Sequence, residues 1–165
     1  VKKICKDLKI KYLKNDKKMC IGHKISWPNI FSHILDTVPG NPIICLTLST
    51  SPLFNRYSQA IKSFKKNKIK YDSLVGVFPR KNFLLDKKGK GINFNPGYWH
   101  PYSQQLETNY EITGSVYVAL KSNMKKWSYW FGENPYLFKI FKKEAIDVDN
   151  MEDFKLAQNI INFKK

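Results

Sequence analysis

The chain has 165 residues, of which 42% are hydrophobic, and it carries a formal net charge of +16 at pH 7. A chain of this length can bury one core, so we expect a single domain over residues 1–165. No apolar run approaches the roughly 18 residues that a membrane span needs, and no signal-peptide pattern opens the sequence. These observations predict a cytoplasmic protein without a membrane partner.

The positive charge comes almost entirely from lysine, because Arg56 and Arg80 are the only arginines. Proteins that read bases and phosphates rely on the planar fork of arginine, which this chain nearly lacks. We therefore expect no dedicated nucleic-acid partner. The alternative, a basic nucleic-acid-binding module, predicts strongly salt-dependent binding to arbitrary DNA.

Hydrophobic periodicity divides the chain into helices and strands. Helices are predicted at residues 1–8, 26–38, 57–66 and 151–163, with a short helix within 121–131. Strands are predicted at residues 10–13, 42–48, 73–79, 110–118 and 135–140, and a polar loop at 15–24. The run 42–48 is continuously apolar, which is typical of a buried parallel strand. The strand–helix–strand order from 42 to 79 therefore predicts a right-handed βαβ unit in an α/β fold.

Residues 80–106 are too long for a plain connection between two strands, and we call them the excursion. Turn signals occur at 88–91 and 95–97. The aromatic residues of the excursion include Phe83, Phe94, Tyr98, Trp99 and Tyr102. An aromatic-rich segment of this kind predicts a functional loop or an oligomer contact.

Two aspartates near the C-terminus are the first candidate site. In an extended segment, Asp147 and Asp149 point to one side, while Ile146 and Val148 point into the protein. Two carboxylates on one face suit Mg²⁺, which takes oxygen ligands and keeps positions for water and phosphate. The alternative is a helix N-cap with its capping-box partner, formed by Asp149 with Glu152 or by Asn150 with Asp153.

The hydroxyl-rich turn at 49–53, Ser-Thr-Ser-Pro-Leu, is the second candidate site. It follows the predicted strand 42–48, and ligands of open α/β sheets bind at the carboxyl ends of strands. A ligand is therefore expected to bind at this turn. The alternative is an ordinary turn before a capped helix.

Residues 143–157 resemble the C-terminal signature of acylneuraminate cytidylyltransferases, the CMP-sialic acid synthetases and their relatives. The segment Leu-Thr-Leu-Ser-Thr-Ser-Pro-Leu at 46–53 is similar to the family's Leu-Gln-Pro-Thr-Ser-Pro-Leu. Asp-Ser-Leu-Val-Gly-Val at 72–77 is similar to its Asp-Ser-Leu-Val-Ser-Val. Further similar segments follow in the family's order at 89–96, 103–106 and 110–118.

The resemblance implies a Rossmann-like nucleotide-diphospho-sugar transferase fold and transfer of CMP from CTP to an acid sugar, with release of pyrophosphate. It implies a Mg²⁺ ion held by Asp147 and Asp149, with Asp147 as a catalytic residue. Thr50 and Ser51 would line the sugar pocket, and Gln104 would reach the sugar from the insert. In this family the insert, here 80–106, helps to form a homodimer and lends residues to the neighbouring site.

The sequence also departs from the family pattern. The triphosphate-binding loop Ala-Arg-x-Gly-Ser-Lys is not found, which leads us to expect an N-terminally truncated fold. Leu48, Tyr102 and Thr113 stand where the motifs have Gln, Arg and Asn. The chain is then expected to be a fragment, a chain whose start was lost, or a non-catalytic remnant that acts as an interaction protein. By itself it is not expected to make a CMP-sugar.

Overall fold

The computed structural model describes residues 1–14 and 26–163. Contacts divide the chain into two compact units, residues 1–40 and residues 41–165. The prediction of one domain over 1–165 stays a prediction, because the compactness of a unit does not show that it folds by itself. None of the helices in the described ranges is long and apolar enough to span a membrane.

The first unit contains helices α1 (Lys2–Asp7) and α2 (Trp27–Asp36). Both helices were predicted, and Pro28 occupies the first turn of α2, where its missing amide hydrogen costs nothing. The predicted strand at 10–13 is wrong: these residues form no strand, and Ile10 and Leu13 are exposed. Among residues 1–14 and 26–163, no strand pairs with this short alternating run. The predicted loop at 15–24 lies outside the described residues.

The second unit is built on a four-stranded mixed sheet in the order β1–β3–β2–β4. The strands are β1 (Ile43–Leu46), β2 (Ser73–Arg80), β3 (Asn109–Leu120) and β4 (Pro135–Lys139). The helices are α3 (Tyr57–Asn67), α4 (Lys121–Trp127) and α5 (Met151–Asn162). The 3₁₀ turns are Ser103–Gln105 and Lys142–Ala145.

The strand order corrects one prediction. β1 pairs antiparallel with β3 at the edge of the sheet and is only half-buried, so it is not a central parallel strand. β3 also pairs antiparallel with β2, whereas β2 and β4 are parallel. The long strand β3 therefore lies between β1 and β2, which run in the same direction and are joined through α3. The apolar run that predicted β1 could not reveal this inserted neighbour.

Apolar residues cover the sheet on two sides, because neighbouring residues of a strand face opposite ways. One cluster joins Val116 and Val118 of β3 to Phe64 of α3. The other contains Val75, Val77 and Tyr117 and is covered by the partly buried residues Leu46, Trp130 and Phe131. β3 is buried from Thr113 to Ala119 because both clusters include its residues.

An irregularity interrupts the pairing of β2 and β3. Val75 lies opposite Tyr117, but Val77 already lies opposite Ile112, so β3 bulges between these pairs. The hydroxyl of Thr113 donates to the carbonyl of Gly76 at 3.1 Å and fixes one end of the bulge. Residues 113–116, which we call the β3 bulge, are thereby turned towards other segments of the unit. Bulges often redirect side chains beside functional sites.

Candidate functional site

The turn after β1 lies against the β3 bulge and is hydrogen-bonded to it. The Leu48 amide donates to the Gly114 carbonyl at 3.0 Å, and the Ser51 amide donates to the Leu48 carbonyl at 3.1 Å. A side chain at Gly114 would lie 3.0 Å from both the Leu48 side chain and the Ser51 hydroxyl oxygen. Glycine therefore permits the close approach of the turn. Ser51 is only 3% exposed as a result.

Residues 144–149, which we call the carboxylate segment, lie against the same turn. The Val148 amide donates to the Thr50 carbonyl at 2.7 Å, and Val148 is half-buried between the exposed Asp147 and Asp149. This alternation is the one that the sequence predicted. The part of the segment that carries the two aspartates is not the end of a strand, contrary to the prediction from the sequence. The 3₁₀ turn Lys142–Ala145 lies between this part and β4. The structure thus brings the two aspartates beside Thr50, and their chemical roles stay predictions.

The same bulge also holds the start of the carboxylate segment. The Ser115 hydroxyl donates to the Glu144 carbonyl at 2.9 Å in a buried hydrogen bond. Gly114 and Ser115 are adjacent, so neighbouring residues of β3 hold the Ser-Thr-Ser turn and the carboxylate segment. Two stretches that are distant in sequence are in this way fixed on one strand.

The cap of α5 is formed by Asn150 and Asp153. The Asn150 side chain accepts from the amides of Glu152 and Asp153 at 2.9 and 3.0 Å. The Asp153 carboxylate in turn accepts from the amides of Asn150 and Asp149. Of the two caps that the sequence left open, the structure has this one. The carboxylate of Asp149 is therefore not used as the cap.

Asp147 is electrostatically coupled to a buried tyrosine. Burial raises the pKa of Tyr117 to about 12, and the nearby Tyr129 and the charge of Asp147 act in the same direction. The Tyr117 ring packs against Trp130, with ring centroids 4.9 Å apart. Tyr117 consequently keeps its proton at neutral pH and contributes no competing negative charge near Asp147.

The residues present fit a Mg²⁺ ion in one limited sense. Asp147 and Asp149 are exposed carboxylates on one side of an extended segment, and neither forms an ion pair with a cation among the described residues. In residues 1–14 and 26–163 there is no cluster of three or more His, Cys, Asp or Glu side chains that could hold a metal. A Mg²⁺ site that uses one or two carboxylates and completes its shell with water and phosphate needs no such cluster.

A buried ion pair, which the sequence analysis missed, connects the loop before α3 to the carboxylate segment. Arg56 donates from Nε and Nη2 to the Glu144 carboxylate at 2.9 and 2.7 Å. Its guanidinium also lies 4.9 Å from the ring centroid of Phe138 and 4.5 Å from that of Phe141. The available signal was Arg56 itself, since a rare arginine in a lysine-rich chain indicates a position that needs the planar fork.

Glu144 is only 2% exposed, and its surroundings favour the ionised form. Burial alone would raise the pKa of Glu144, but hydrogen bonds from Arg56 and from the Phe141 amide, together with the Arg56 charge, hold it below its usual value. The Phe141 amide donates to Glu144 Oε2 at 2.9 Å. The carboxylate is thus paired and hydrogen-bonded, as a buried charge must be.

Gln104 lies in the excursion, away from these contacts. Its side chain is exposed, and its carbonyl accepts a 2.6 Å hydrogen bond from Lys81 Nζ. Of the described hydrogen bonds, none joins Gln104 to Thr50 or Ser51. Its predicted sugar contact therefore stays a prediction that depends on a neighbouring subunit.

The glycine-rich loop at 87–91 is closed on itself. Asp86 Oδ1 accepts from the amides of Lys88 and Lys90 at 2.8 and 2.9 Å, and the Asp86 carbonyl accepts from Gly89 at 3.0 Å. A loop that binds phosphates needs free backbone amides that converge on the anion. Here these amides are occupied by a carboxylate, which would also repel a phosphate.

Comparisons with known proteins find similarity in structure but none in sequence. No protein-family model matches the sequence, and no curated protein matches it by sequence. Similar solved structures include the 4-diphosphocytidyl-2C-methyl-D-erythritol synthase of Anaerococcus prevotii DSM 20548, with a TM-score of 0.65 and 11% identity. The match covers 98% of this chain and 77% of that chain. The chain therefore has a cytidylyltransferase-like, Rossmann-type α/β fold, which confirms the predicted fold class.

The Arg56–Glu144 pair gives the first testable prediction. Arg56→Met keeps the unbranched apolar stem but removes the guanidinium, which leaves Glu144 buried without its partner. This change should lower the unfolding free energy by about 3–5 kcal/mol. The matched control is Arg80→Met, because Arg80 pairs with Glu111 where the side chains are 40% and 46% exposed. That change should cost less than about 1 kcal/mol. Equal losses in urea unfolding would contradict the assignment.

The lowered pKa of Glu144 predicts how stability depends on pH. A carboxyl whose pKa is lower in the folded protein stabilises it above the unfolded pKa, about 4.3, and loses this contribution as pH falls through the folded pKa. The difference in unfolding free energy between wild type and Glu144→Gln should be constant from pH 6 to 8 and shrink below about pH 4. A difference that does not change down to pH 3 would show that Glu144 is not held ionised.

Proposed function

We propose that this chain forms the acid-sugar-binding and metal-binding part of a cytidylyltransferase, which transfers CMP from CTP to a sugar of the sialic-acid type. The observation that carries the proposal is the 2.7 Å hydrogen bond between Val148 and Thr50. It places the aspartate pair beside the hydroxyl-rich turn at the carboxyl end of β1, where α/β folds bind ligands. The cytidylyltransferase-like fold supports the same reaction class.

In this proposal Asp147 is the catalytic residue. It accepts the proton of the attacking sugar hydroxyl, or lowers the cost of removing it, as a positioned carboxylate can. Asp147 and Asp149 would hold a Mg²⁺ ion, which supplies positive charge to the phosphates of the nucleotide. Thr50, which is half-buried, and Ser51, which is buried, orient the sugar by hydrogen bonding. A turn whose backbone is held by hydrogen bonds to Gly114 and Val148 is suited to that task.

The choice of an acid sugar rests on the ordered motifs that resemble the acylneuraminate cytidylyltransferases. One departure now has a structural consequence. Leu48 stands where that family has Gln, and its side chain and the Ser51 hydroxyl both lie beside Gly114. Leucine offers no side-chain hydrogen bond at this position of the turn.

The nucleotide side of the reaction needs donors that converge on the phosphates, and the glycine-rich loop at 87–91 does not offer them. Asp86 occupies the amides of the glycine-rich loop, and surface lysines do not position an α-phosphorus for attack. Such positioning can be worth roughly 7–11 kcal/mol of the reaction barrier. We therefore propose that the 165-residue chain by itself binds the sugar but does not release pyrophosphate from CTP.

Part of the proposal is a homodimer formed through the excursion. Tyr98 and Trp99 are 93% and 84% exposed, and Tyr102 is also exposed. Phe83, Phe94 and His100 pack together beside them, with Phe83 and His100 ring centroids 4.4 Å apart. A neighbouring subunit would cover these rings and bring its own Gln104 towards the sugar.

Sugar binding is tested by saturation-transfer NMR on the 165-residue chain with Mg²⁺. N-acetylneuraminate should receive saturation, and N-acetylmannosamine, which has no carboxylate, should not. Thr50→Val keeps the backbone contact to Val148 but removes a hydroxyl, so affinity should fall roughly 2–10-fold. Thr47→Val removes an exposed hydroxyl from the same loop and should leave the affinity for the sugar unchanged.

Absence of saturation on N-acetylneuraminate would overturn the sugar assignment, as would equal effects of the two threonine variants. Pyrophosphate release at about one turnover per second, abolished by Asp147→Ala, would overturn the claim of inactivity while supporting the reaction class.

The homodimer is tested by sedimentation velocity. Tyr98→Ser combined with Trp99→Ser should weaken association at least about 30-fold, because buried aromatic residues are typical hot spots of interfaces. Phe163→Ser, which changes an aromatic side chain that is 92% exposed, should leave association unchanged. A wild-type chain that stays monomeric at high concentration would contradict the proposed interface.

A further inference from the structure

A cavity of about 420 Å³ lies between the end of β2, the 3₁₀ turn Lys142–Ala145, and α5. We call it the α5 pocket. Its cationic residues are Arg80, Lys142 and Lys143, and its apolar residues are Ala145, Ile146, Leu156 and Ile160. The volume is within the range of small-molecule sites. Neither Asp147 nor Thr50 lines the pocket, so it is a separate site from the one proposed above.

The apolar side chains that line the pocket, which we call its floor, are partly exposed to solvent. Leu156 and Ile160 are four residues apart on α5 and lie on the same face of the helix. Leu156 is 51% exposed although it stands in a concave surface. Ile146 completes the floor from the neighbouring segment. Apolar surface left exposed in a pocket is stabilised when an apolar group covers it.

The charged side chains that line the pocket, which we call its rim, are all cationic, and Arg80 among them is paired with Glu111. Lys142 and Lys143 form no ion pair with any described acidic residue. Arg80 donates to Glu111 through Nε, and its other guanidinium nitrogens have no acceptor among the described residues. None of the lining residues is acidic. The rim is therefore complementary to an anion, while the floor is complementary to a hydrocarbon.

We propose that the α5 pocket binds an amphipathic anion, with a single carboxylate or phosphate head group on an apolar chain. Nucleic acid would satisfy the lysines but would leave Leu156 and Ile160 uncovered. Only a ligand with both parts uses both halves of the pocket.

The test is a chain-length series titrated into the ¹⁵N-labelled 165-residue chain and followed by NMR. Octanoate should bind with a dissociation constant below about 1 mM and shift the amide signals of Ile146, Leu156 and Ile160. Each buried methylene contributes about fourfold in affinity, so hexanoate should bind up to roughly 16-fold more weakly and acetate not measurably. Octylamine, a cation of the same length, should not bind. Octyl phosphate should bind too, and the tighter of the two anions identifies the head group.

Variants separate the pocket from general charge effects. Replacing both Lys142 and Lys143 by Gln should weaken octanoate binding about tenfold. The control replaces Lys65 and Lys66, exposed lysines in the last turn of α3, by Gln and should have no effect. Ile160→Ser should weaken octanoate binding while leaving the thermal midpoint near that of wild type.

The proposal is overturned if octanoate does not bind, if octylamine or acetate binds as tightly, or if the α3 control variant loses as much affinity as the pocket variant. None of these results bears on sugar binding at Thr50, so the two proposals fail independently.

Discussion

The bidentate ion pair between Arg56 and Glu144 fixes the loop that precedes α3 relative to the segment that carries Asp147 and Asp149. Glu144 has little access to water, so its charge persists only because Arg56 and the Phe141 amide satisfy it. A buried pair of this kind adds little net stability compared with apolar residues of the same shape. Its role here is to hold two segments that are far apart in sequence in a defined relative position.

The β3 bulge extends that constraint to the site. Gly114 receives the turn after β1, and Ser115 receives the carbonyl of Glu144. The ion pair and the bulge both hold Glu144, the first through its carboxylate and the second through its carbonyl. The hydrogen bond from Val148 to Thr50 joins the carboxylate segment directly to the turn after β1. Rigid support of this kind is what a site needs if it is to hold a sugar hydroxyl near a carboxylate.

Much of the second unit was predictable because local patterns decide it. The helical spacing of α3 and α5, the apolar run of β2 and the alternation around Val148 all appear in the structure as expected. The insertion of β3 between β1 and β2 was not predictable, because pairing partners depend on the whole sheet. The Arg56–Glu144 pair was missed for the same reason, since no local pattern links residues so far apart. The choice of Asn150 and Asp153 as the cap needed the backbone geometry of the helix start.

The fold and the site support the function by different routes. Similarity to a solved synthase at 11% identity establishes the fold but transfers no activity. The functional argument rests instead on the hydrogen bond between Thr50 and Val148, the residue between the two aspartates. In the α5 pocket, cationic and apolar side chains also meet. Ile146 lines this pocket, whereas the next residue, Asp147, does not, because neighbouring side chains of an extended segment point to opposite sides.

The central claim is that Asp147 and Asp149 form a cation site facing the turn at Thr50 and Ser51. Its most direct test is Mn²⁺, a paramagnetic cation that suits carboxylate ligands, added in small amounts to the ¹⁵N-labelled chain. The amide signals of Thr50, Ser51 and Val148 should broaden most strongly, and should stay sharp when both aspartates are changed to Asn. The Glu152→Gln variant should broaden as wild type does. If these signals stay sharp in the wild type while others broaden, the cation binds elsewhere and the account is contradicted.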